Sequence, residues 1–495
     1  MLKLSPLFGP GAVLCRGKEL RIFGEAEDGR TITVTLGNDT AHCTARGGRF
    51  LALLPPRAAA TGLTLTVTDG TDTIVSADIA VGEVYLAGGQ SNMELELQNA
   101  DEGPGLIAVH NDPDLRYFNV PKKSVWNQDA IQANEWSHWE KITPGNGRDM
   151  SAVAYFFARK LREKLNVPVG VIDCYWGGTS VTCWMDEAAL ATTAEGRRYM
   201  DDYAAKTAGK TMAQWQAEED HFQATFGAWC RKADDMRREN PALSWTEVNS
   251  ALGPAPWNPP VGPGSPYRPA GLARTMVERL TPAALTGVLF YQGEEDAART
   301  TCYDVLLLLL IRAWREWFRD EELPFLFVQL PVWLTEGETD PCDWPLLRHA
   351  QEKAWRQCRH TGMACIIDCG EFNNIHPTDK RTVGERLYEQ ARTVIYGEEG
   401  SCSPRAMGKH TCGNTLVVEL TAPVAVRGEG VPQHLELAGE DGVYHPANAV
   451  IHGSALHLTS PEVPCPVGAR YAHRNWCVVN LFGENGLPLA PFILA

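Results

Sequence analysis

From Gly82 to about residue 400 the chain repeats one pattern: a short apolar run, a loop containing Gly or acid, then a helix-like segment. The apolar runs are GEVYLAGG, VPVGVIDCYWGG, LTGVLFYQGEED, LPFLFVQLPVW and GMACIIDCGEF. Segments such as SAVAYFFARKLREKL and YDVLLLLLIRAWREWF separate them. Strand–loop–helix alternation of this kind predicts an α/β fold, a parallel sheet sandwiched by helices on both faces. In such sheets ligands collect beyond the carboxyl ends of the strands, where these loops lie.

The flanks read differently. Residues 1–80 alternate apolar and polar positions in IFGEA, TITVTLG, RFLALLPP and LTLTVTDGTDTIVSADIAV, the pattern of a small β-sandwich or barrel. Residues 401–495 return to strand-like runs, and a C-terminal β-rich domain is expected there. The expected organisation is an N-terminal β-domain (1–80), an α/β domain (81–400) and the C-terminal β-domain (401–495). Two stretches interrupt the α/β pattern. Residues from about 190 to 250 are helical and charged, and Phe222, Phe226, Trp229, Ala233 and Met236 share one face, a packing stripe. Residues 251–269 follow with seven prolines, an extended, semi-stiff loop that either connects or walls a cleft.

Composition narrows the function. With 45 Lys and Arg against 61 Asp and Glu, the net charge of −16 argues against a broad nucleic-acid or anionic-membrane footprint. The longest apolar run, Val305 to Ile311, is far short of the ~20 residues a spanning helix needs. The opening MLKLSPLFGPGAVLCRGKEL lacks the apolar stretch of a signal peptide. The 14 cysteines are thinly spread without a CxxC pair, and are read as reduced, mostly buried side chains. A cytoplasmic location without a metal site is the expectation.

Common catalytic signatures are missing: no G-x-S-x-G elbow, HExxH, Walker A loop or GxGxxG opening a helix. Four loops at expected strand ends remain. Gly88-Gly89-Gln90-Ser91-Asn92-Met93-Glu94 places a serine on a tight turn between strand and helix. Its hydroxyl is presented at the sheet edge, and the following N–H groups can face a developing anion. A serine there also suits a helix N-cap. Trp176-Gly177-Gly178-Thr179-Ser180 lets a backbone N–H approach a substrate oxygen closely. Tyr291-Gln292-Gly293-Glu294 offers an amide donor and a carboxylate. Asn373-Asn374-Ile375-His376-Pro377 ends the last strand–loop, where an imidazole can reach Ser91.

GGQSNME, YWGGTS, FYQGEED and NNIHP, in that order, resemble the sialate O-acetylesterase family within the SGNH/GDSL hydrolases, and the likeness extends over almost the whole chain. The resemblance implies an SGNH-type sheet and an esterase that removes acetyl groups from acetylated mono- or oligosaccharides through an acetyl-enzyme, without metal or organic cofactor. It implies Ser91 as nucleophile and His376 as general base. The oxyanion hole would comprise the N–H groups of Ser91 and Gly178 and the Gln292 side chain. Gln90, Asn92, Trp176 and Gly177 are expected beside the substrate, and self-association is left open. Deacetylation of plant cell-wall xylan or mannan oligosaccharides, and a non-catalytic sugar-binding protein on a decayed scaffold, are the alternatives.

The likeness departs at one point. Where the family carries an aspartate before the histidine, this chain has Asn373 and Asn374. The third member of a triad orients the imidazole and stabilises its charged form. Glu371, Glu294 or Asp296 could substitute, a carbonyl from Asn373 or the backbone could leave a Ser–His dyad, or the site is weak. Glu294 reads either as a buried acid bracing the loops through backbone N–H groups or as a partner of His376 or a sugar hydroxyl. Gly88 and Glu295-Asp296 also differ from the family pattern, at the pocket rim. Trp176, Trp184 and Trp257 are candidate sugar platforms, although most of the 15 tryptophans belong in the core.

Overall fold

The computed structural model describes residues 1–495. The pattern beginning near Gly82 forms six strands. They are β1 (Thr73–Gly89), β2 (Asp112–Asn119), β3 (Val169–Tyr175), β4 (Gly287–Tyr291), β5 (Phe325–Gln329) and β6 (Thr361–Cys365). All six run parallel in the order β2-β3-β1-β4-β5-β6. The sheet as a whole is mixed rather than purely parallel. The strand Trp139–Ile142 joins the β2 edge antiparallel, and the first half of β1 pairs antiparallel with Ala60–Thr68.

Burial explains the change of texture at Gly82. Along β1 exposure alternates up to Asp78, then every residue from Ile79 to Gly89 is buried. A strand covered on both faces reads as a continuous apolar run, whereas one face in water gives alternation. The expected boundary at 80/81 therefore falls inside one strand that serves both the N-terminal sheet and the central sheet. A single core of 92 buried residues runs through both regions, and a second core of 23 residues fills the C-terminal sheets.

Helices α1 (Ala152–Leu165), α2 (Tyr303–Trp317) and α3 (Lys380–Val394) flank the sheet. Ser151 caps α1 by accepting from the Ala154 N–H at 3.2 Å, and Asp379 caps α3 through Thr382 N–H at 3.0 Å. Tyr85 of β1 meets Phe157 of α1 edge to face at 4.8 Å, and its hydroxyl bonds Tyr396 just beyond α3. At Gly88 a Cβ would lie 3.0 Å from the Trp314 ring of α2. Positions 85 and 88 point to opposite faces of a strand. Helices α1 and α3 thus cover one face and α2 the other. The expected helical stretch near 190–250 holds Ala194–Thr207, Met212–Glu239 and Trp245–Leu252.

Gly89 sets the level at which the strands end. It pairs with Tyr175 of β3 on one side and Tyr291 of β4 on the other. Its φ is +134°, and a Cβ would lie 2.0 Å from the Tyr291 carbonyl oxygen. Gly89→Ala is therefore expected to lose at least ~1–3 kcal/mol of stability, read as a lower urea midpoint. Gly105→Ala, in a helix with nothing within 4 Å of the new Cβ, should leave the midpoint unchanged or raise it.

Candidate active site

The loops after β1, β3, β4 and β6 converge at the carboxyl edge of the sheet. Gln90 N–H donates to Tyr291 O at 3.0 Å, and Trp176 N–H donates to Gly89 O at 3.1 Å, so the first three loops leave at one level. Ser91 then opens a single helical turn, Ser91–Glu94. Gln90, not Ser91, occupies the N-cap position and makes no capping bond there. The Ser91 hydroxyl is thus left for another partner, and His376 Nε2 lies 2.8 Å from Ser91 Oγ. A Cβ on Gly177 would sit 3.2 Å from Ser91 Cβ, so the paired glycines pass directly over the serine. Gly177 N–H is bound by Glu94, whereas the N–H groups of Ser91 and Gly178 donate to no group of the protein.

His376 is held through its backbone. Its N–H donates to Asn374 Oδ1 and its carbonyl accepts from Asn374 Nδ2, both at 3.1 Å. Asn374 also donates to Glu371 Oε2 at 2.7 Å, and Glu371 Oε1 accepts from Thr378 N–H at 2.8 Å. Asn373 adopts a left-handed φ of +58° and ties the loop to the helical insertion. Its carbonyl accepts from Asn249 at 2.7 Å, and its amide donates to Ser250 Oγ at 3.1 Å. None of the three candidate carboxylates bonds the imidazole, and Nδ1 makes no hydrogen bond within the protein. In this arrangement the serine and histidine touch without a carboxylate on the far side of the ring.

Other expected site residues are placed differently from their anticipated roles. Gln292 is 1% exposed, and its amide Nε2 faces Asp296 at 2.6 Å, Thr179 O at 3.1 Å and Gln90 Oε1 at 3.2 Å. With two amide hydrogens and a carboxylate in front of it, Gln292 has no donor left for an oxyanion and acts as a brace. Gln90 and Asn92 are buried rather than facing a cleft. Gln90 Oε1 collects Gln292 together with the N–H groups of Gly293 and Glu295. Glu294 does brace the loops, but through the Asn92 side chain at 2.6 Å instead of backbone N–H groups. Its Oε2 has no partner, and burial pushes its pKa up.

The aromatic candidates divide. Trp184 is fully buried, with its indole N–H on Thr179 Oγ1 at 3.0 Å. Trp176 is half-buried, and Trp257 is 41% exposed. A Cβ on Gly178 would strike the Trp257 ring at 2.1 Å, so the Pro-rich loop does form a wall beside the glycine pair. Phe222 and Phe226 of the helical stripe support that ring edge-on at 5.8 and 5.5 Å, and Tyr267 at 5.7 Å.

Lys380 was not among the expected residues. It is 1% exposed, at the start of α3, and its Nζ donates to Asn92 Oδ1 at 2.7 Å. The sequence held a signal: a cation in the first turn of a helix faces the positive end of the helix dipole, an unfavourable place unless something else holds it. Burial lowers the Lys380 pKa to about 8, against the opposing pull of Glu294, Glu371, Cys369 and Asp379. Nowhere do three or more His, Cys, Asp or Glu side chains group closely enough to hold a metal ion.

A hydroxyl and an imidazole in contact, with free N–H groups beside them, are the equipment of an acyl-transferring hydrolase. Comparison with known proteins agrees with this class. The family model described as carbohydrate esterase, sialic acid-specific acetylesterase, matches residues 255–392, which include the Gln292–Asp296 loop, His376 and Lys380 but not Ser91. The sialate O-acetylesterase of Rattus norvegicus is 28% identical over 382 residues, 71% of this chain and 62% of that protein. The Mus musculus protein of the same name is 29% identical over 352 residues, 65% and 58%. The chain thus spans about three-fifths of these relatives' length. The crystal structure of a carbohydrate acetylesterase from Xanthomonas citri superposes with a TM-score of 0.79 at 30% identity, covering 100% of both chains. This chain belongs to the carbohydrate acetylesterase family of that structure.

Burial, with the Lys380 charge adding to it, lowers the His376 pKa from 6.5 to about 4. The residue as a whole is half-buried, and protein groups crowd the ring enough to disfavour the imidazolium. Because the folded value lies below the unfolded one, acid favours the unfolded chain between about pH 6.5 and 4. An NMR titration should find the His376 ring neutral down to about pH 5, with protonation centred near 4. The urea midpoint should fall as pH drops through that window, and less steeply in His376→Gln.

Proposed function

We propose that this chain is an SGNH-type serine esterase that removes O-acetyl groups from acetylated sugars. The observation that carries this reading is the 2.8 Å contact between Ser91 Oγ and His376 Nε2 at the carboxyl edge of the sheet. Family membership supports the acetyl ester as the bond attacked.

In the proposed reaction, His376 Nε2 takes the hydroxyl proton as Ser91 Oγ bonds to the acetyl carbon. The N–H groups of Ser91 and Gly178 receive the oxyanion, and each such donor contributes roughly 2.7–4 kcal/mol to the barrier. Collapse breaks the bond to the sugar oxygen, which takes the proton from His376. Water, deprotonated by the same ring, then releases acetate and restores Ser91. The low proton affinity of His376 keeps it neutral and able to act as base at pH 7, and makes its protonated form a strong acid toward the departing sugar oxygen.

Neutral acetylated sugars, such as cell-wall oligosaccharides, are the second reading of the substrate, and one observation favours them. Lys122, the cation brought to the site by Glu94, is already paired with that carboxylate, so it supplies no open charge for a sialic acid carboxylate. Trp257 and Trp176 suit the apolar face of either sugar. Fourteen unpaired cysteines fit a reducing compartment, and the proposal keeps the cytoplasm as the setting.

Acetate release from a chromogenic acetyl ester tests the assignment. Ser91→Ala and His376→Ala should each lower kcat by at least ~10³-fold. Equal rates in wild type and Ser91→Ala would sink the catalytic role. Initial rates on O-acetyl sialic acid and on acetylated xylo- and manno-oligosaccharides then decide between the two substrate classes.

A further inference from the structure

The dyad raises a question that its four loops answer. A triad carboxylate normally fixes the plane of the imidazole, yet His376 Nδ1 makes no hydrogen bond within the protein. Something else has to hold the ring within reach of Ser91. The side chain directly after the serine bonds both the Gln292–Glu294 loop and the segment that carries His376. Asn92 is fully buried and uses its whole amide: Nδ2 donates to Glu294 Oε1 at 2.6 Å and to Ile375 O at 2.9 Å, while Oδ1 accepts from Lys380 Nζ at 2.7 Å. Ile375 is the residue before His376, and Lys380 lies four residues after it.

We propose that Lys380, Asn92 and Glu294 form a buried clamp of positioning residues that locks the His376 segment onto the Ser91 turn, doing the orienting for which a third carboxylate is otherwise needed. The inference rests on the Ser91–His376 esterase reading and adds residues that touch neither substrate nor the reacting atoms. Its chemistry is that of a chain of buried polar groups in which the Asn92 amide is fully bonded and only Glu294 Oε2 is left without a partner. Each bond there is stronger than in water, and losing one partner leaves the others unpaired. The cation and the carboxylate sit at opposite ends of the amide, so the Asn92 dipole is aligned between them: its oxygen faces Lys380 and its NH₂ faces Glu294.

The clamp has an electrical consequence that simple scaffolding lacks. Lys380 pushes the His376 pKa down, second only to burial. The groups facing Lys380 are Glu294, Glu371, Cys369 and Asp379, and all pull in the opposite sense on the lysine itself. Removing the Lys380 charge therefore raises the proton affinity of His376.

The test compares kcat, KM and the pH profile of acetyl ester hydrolysis in wild type, Asn92→Ala, Lys380→Met, Lys380→Arg and Glu294→Gln, with Ser91→Ala as reference. Asn92→Ala and Lys380→Met should lower kcat by ~100-fold, the scale of a misplacement of about 1 Å at the reacting atoms, with KM within about twofold of wild type. In Lys380→Met the acidic limb of kcat/KM should move upward from its wild-type position, and Lys380→Arg should return it. If Lys380→Met does not fold, the near-isosteric Glu294→Gln carries the measurement, with a lowered kcat and little change in KM expected. Wild-type kcat and an unmoved acidic limb in the folded variants would overturn the clamp while leaving the esterase reading intact. Activity in Ser91→Ala would instead overturn that reading.

Discussion

Everything at the carboxyl edge of this sheet follows from how closely three strands approach at Gly89. Parallel pairing with Tyr175 and Tyr291 leaves no room for a side chain there, and the backbone takes a φ that only glycine adopts freely. The chain then leaves the sheet at once, and its next two residues are a buried glutamine and Ser91. The glycine pair over Ser91 and the Gln292 brace emerge from the two flanking strands at the same height. A hydroxyl and an imidazole are thereby brought into contact from positions 285 residues apart in the chain.

Polar groups inside the site are arranged to be consumed by one another. Gln90, Asn92 and Gln292 read as substrate-facing chemistry in a one-dimensional view, Glu294 and Asp296 as candidate carboxylate partners, and all five are buried. What remains unbonded includes the N–H groups of Ser91 and Gly178, one edge of His376 and Glu294 Oε2. This division is physically sensible. An oxyanion is stabilised most by donors that need no reorganisation, and immobile donors need neighbours whose own bonds are already satisfied.

Legibility followed the same divide. The strands β1, β3, β4, β5 and β6 and the helices α1 and α2 stood out because burial on both faces gives continuous apolar runs and because turns need glycine, and the loops carrying Ser91 and His376 stood out as the ends of such runs. Strand β2 was missed. Its sequence, DPDLRYFN, carries Arg116, whose guanidinium is buried on the carbonyls of Gly11 and Asp78, a contact more than thirty residues away in sequence. The antiparallel edge and the sharing of β1 were hidden for the same reason, since pairing partners are non-local. The roles of Gln292 and Asn92 could not be read because a side-chain amide has the same letter whether it faces a substrate or three neighbours. Lys380 left only its awkward place at a helix start as a trace.

The shared strand has a structural meaning. β1 is 17 residues long, interrupted by a left-handed φ of +59° at Asp78 where its pairing with Ala60–Thr68 shifts register, with the N-terminal sheet on one end and Ser91 two residues past the other. Pairing in the N-terminal sheet and the position of the Ser91 turn are therefore properties of one continuous strand, and the two regions share it rather than meeting at a linker.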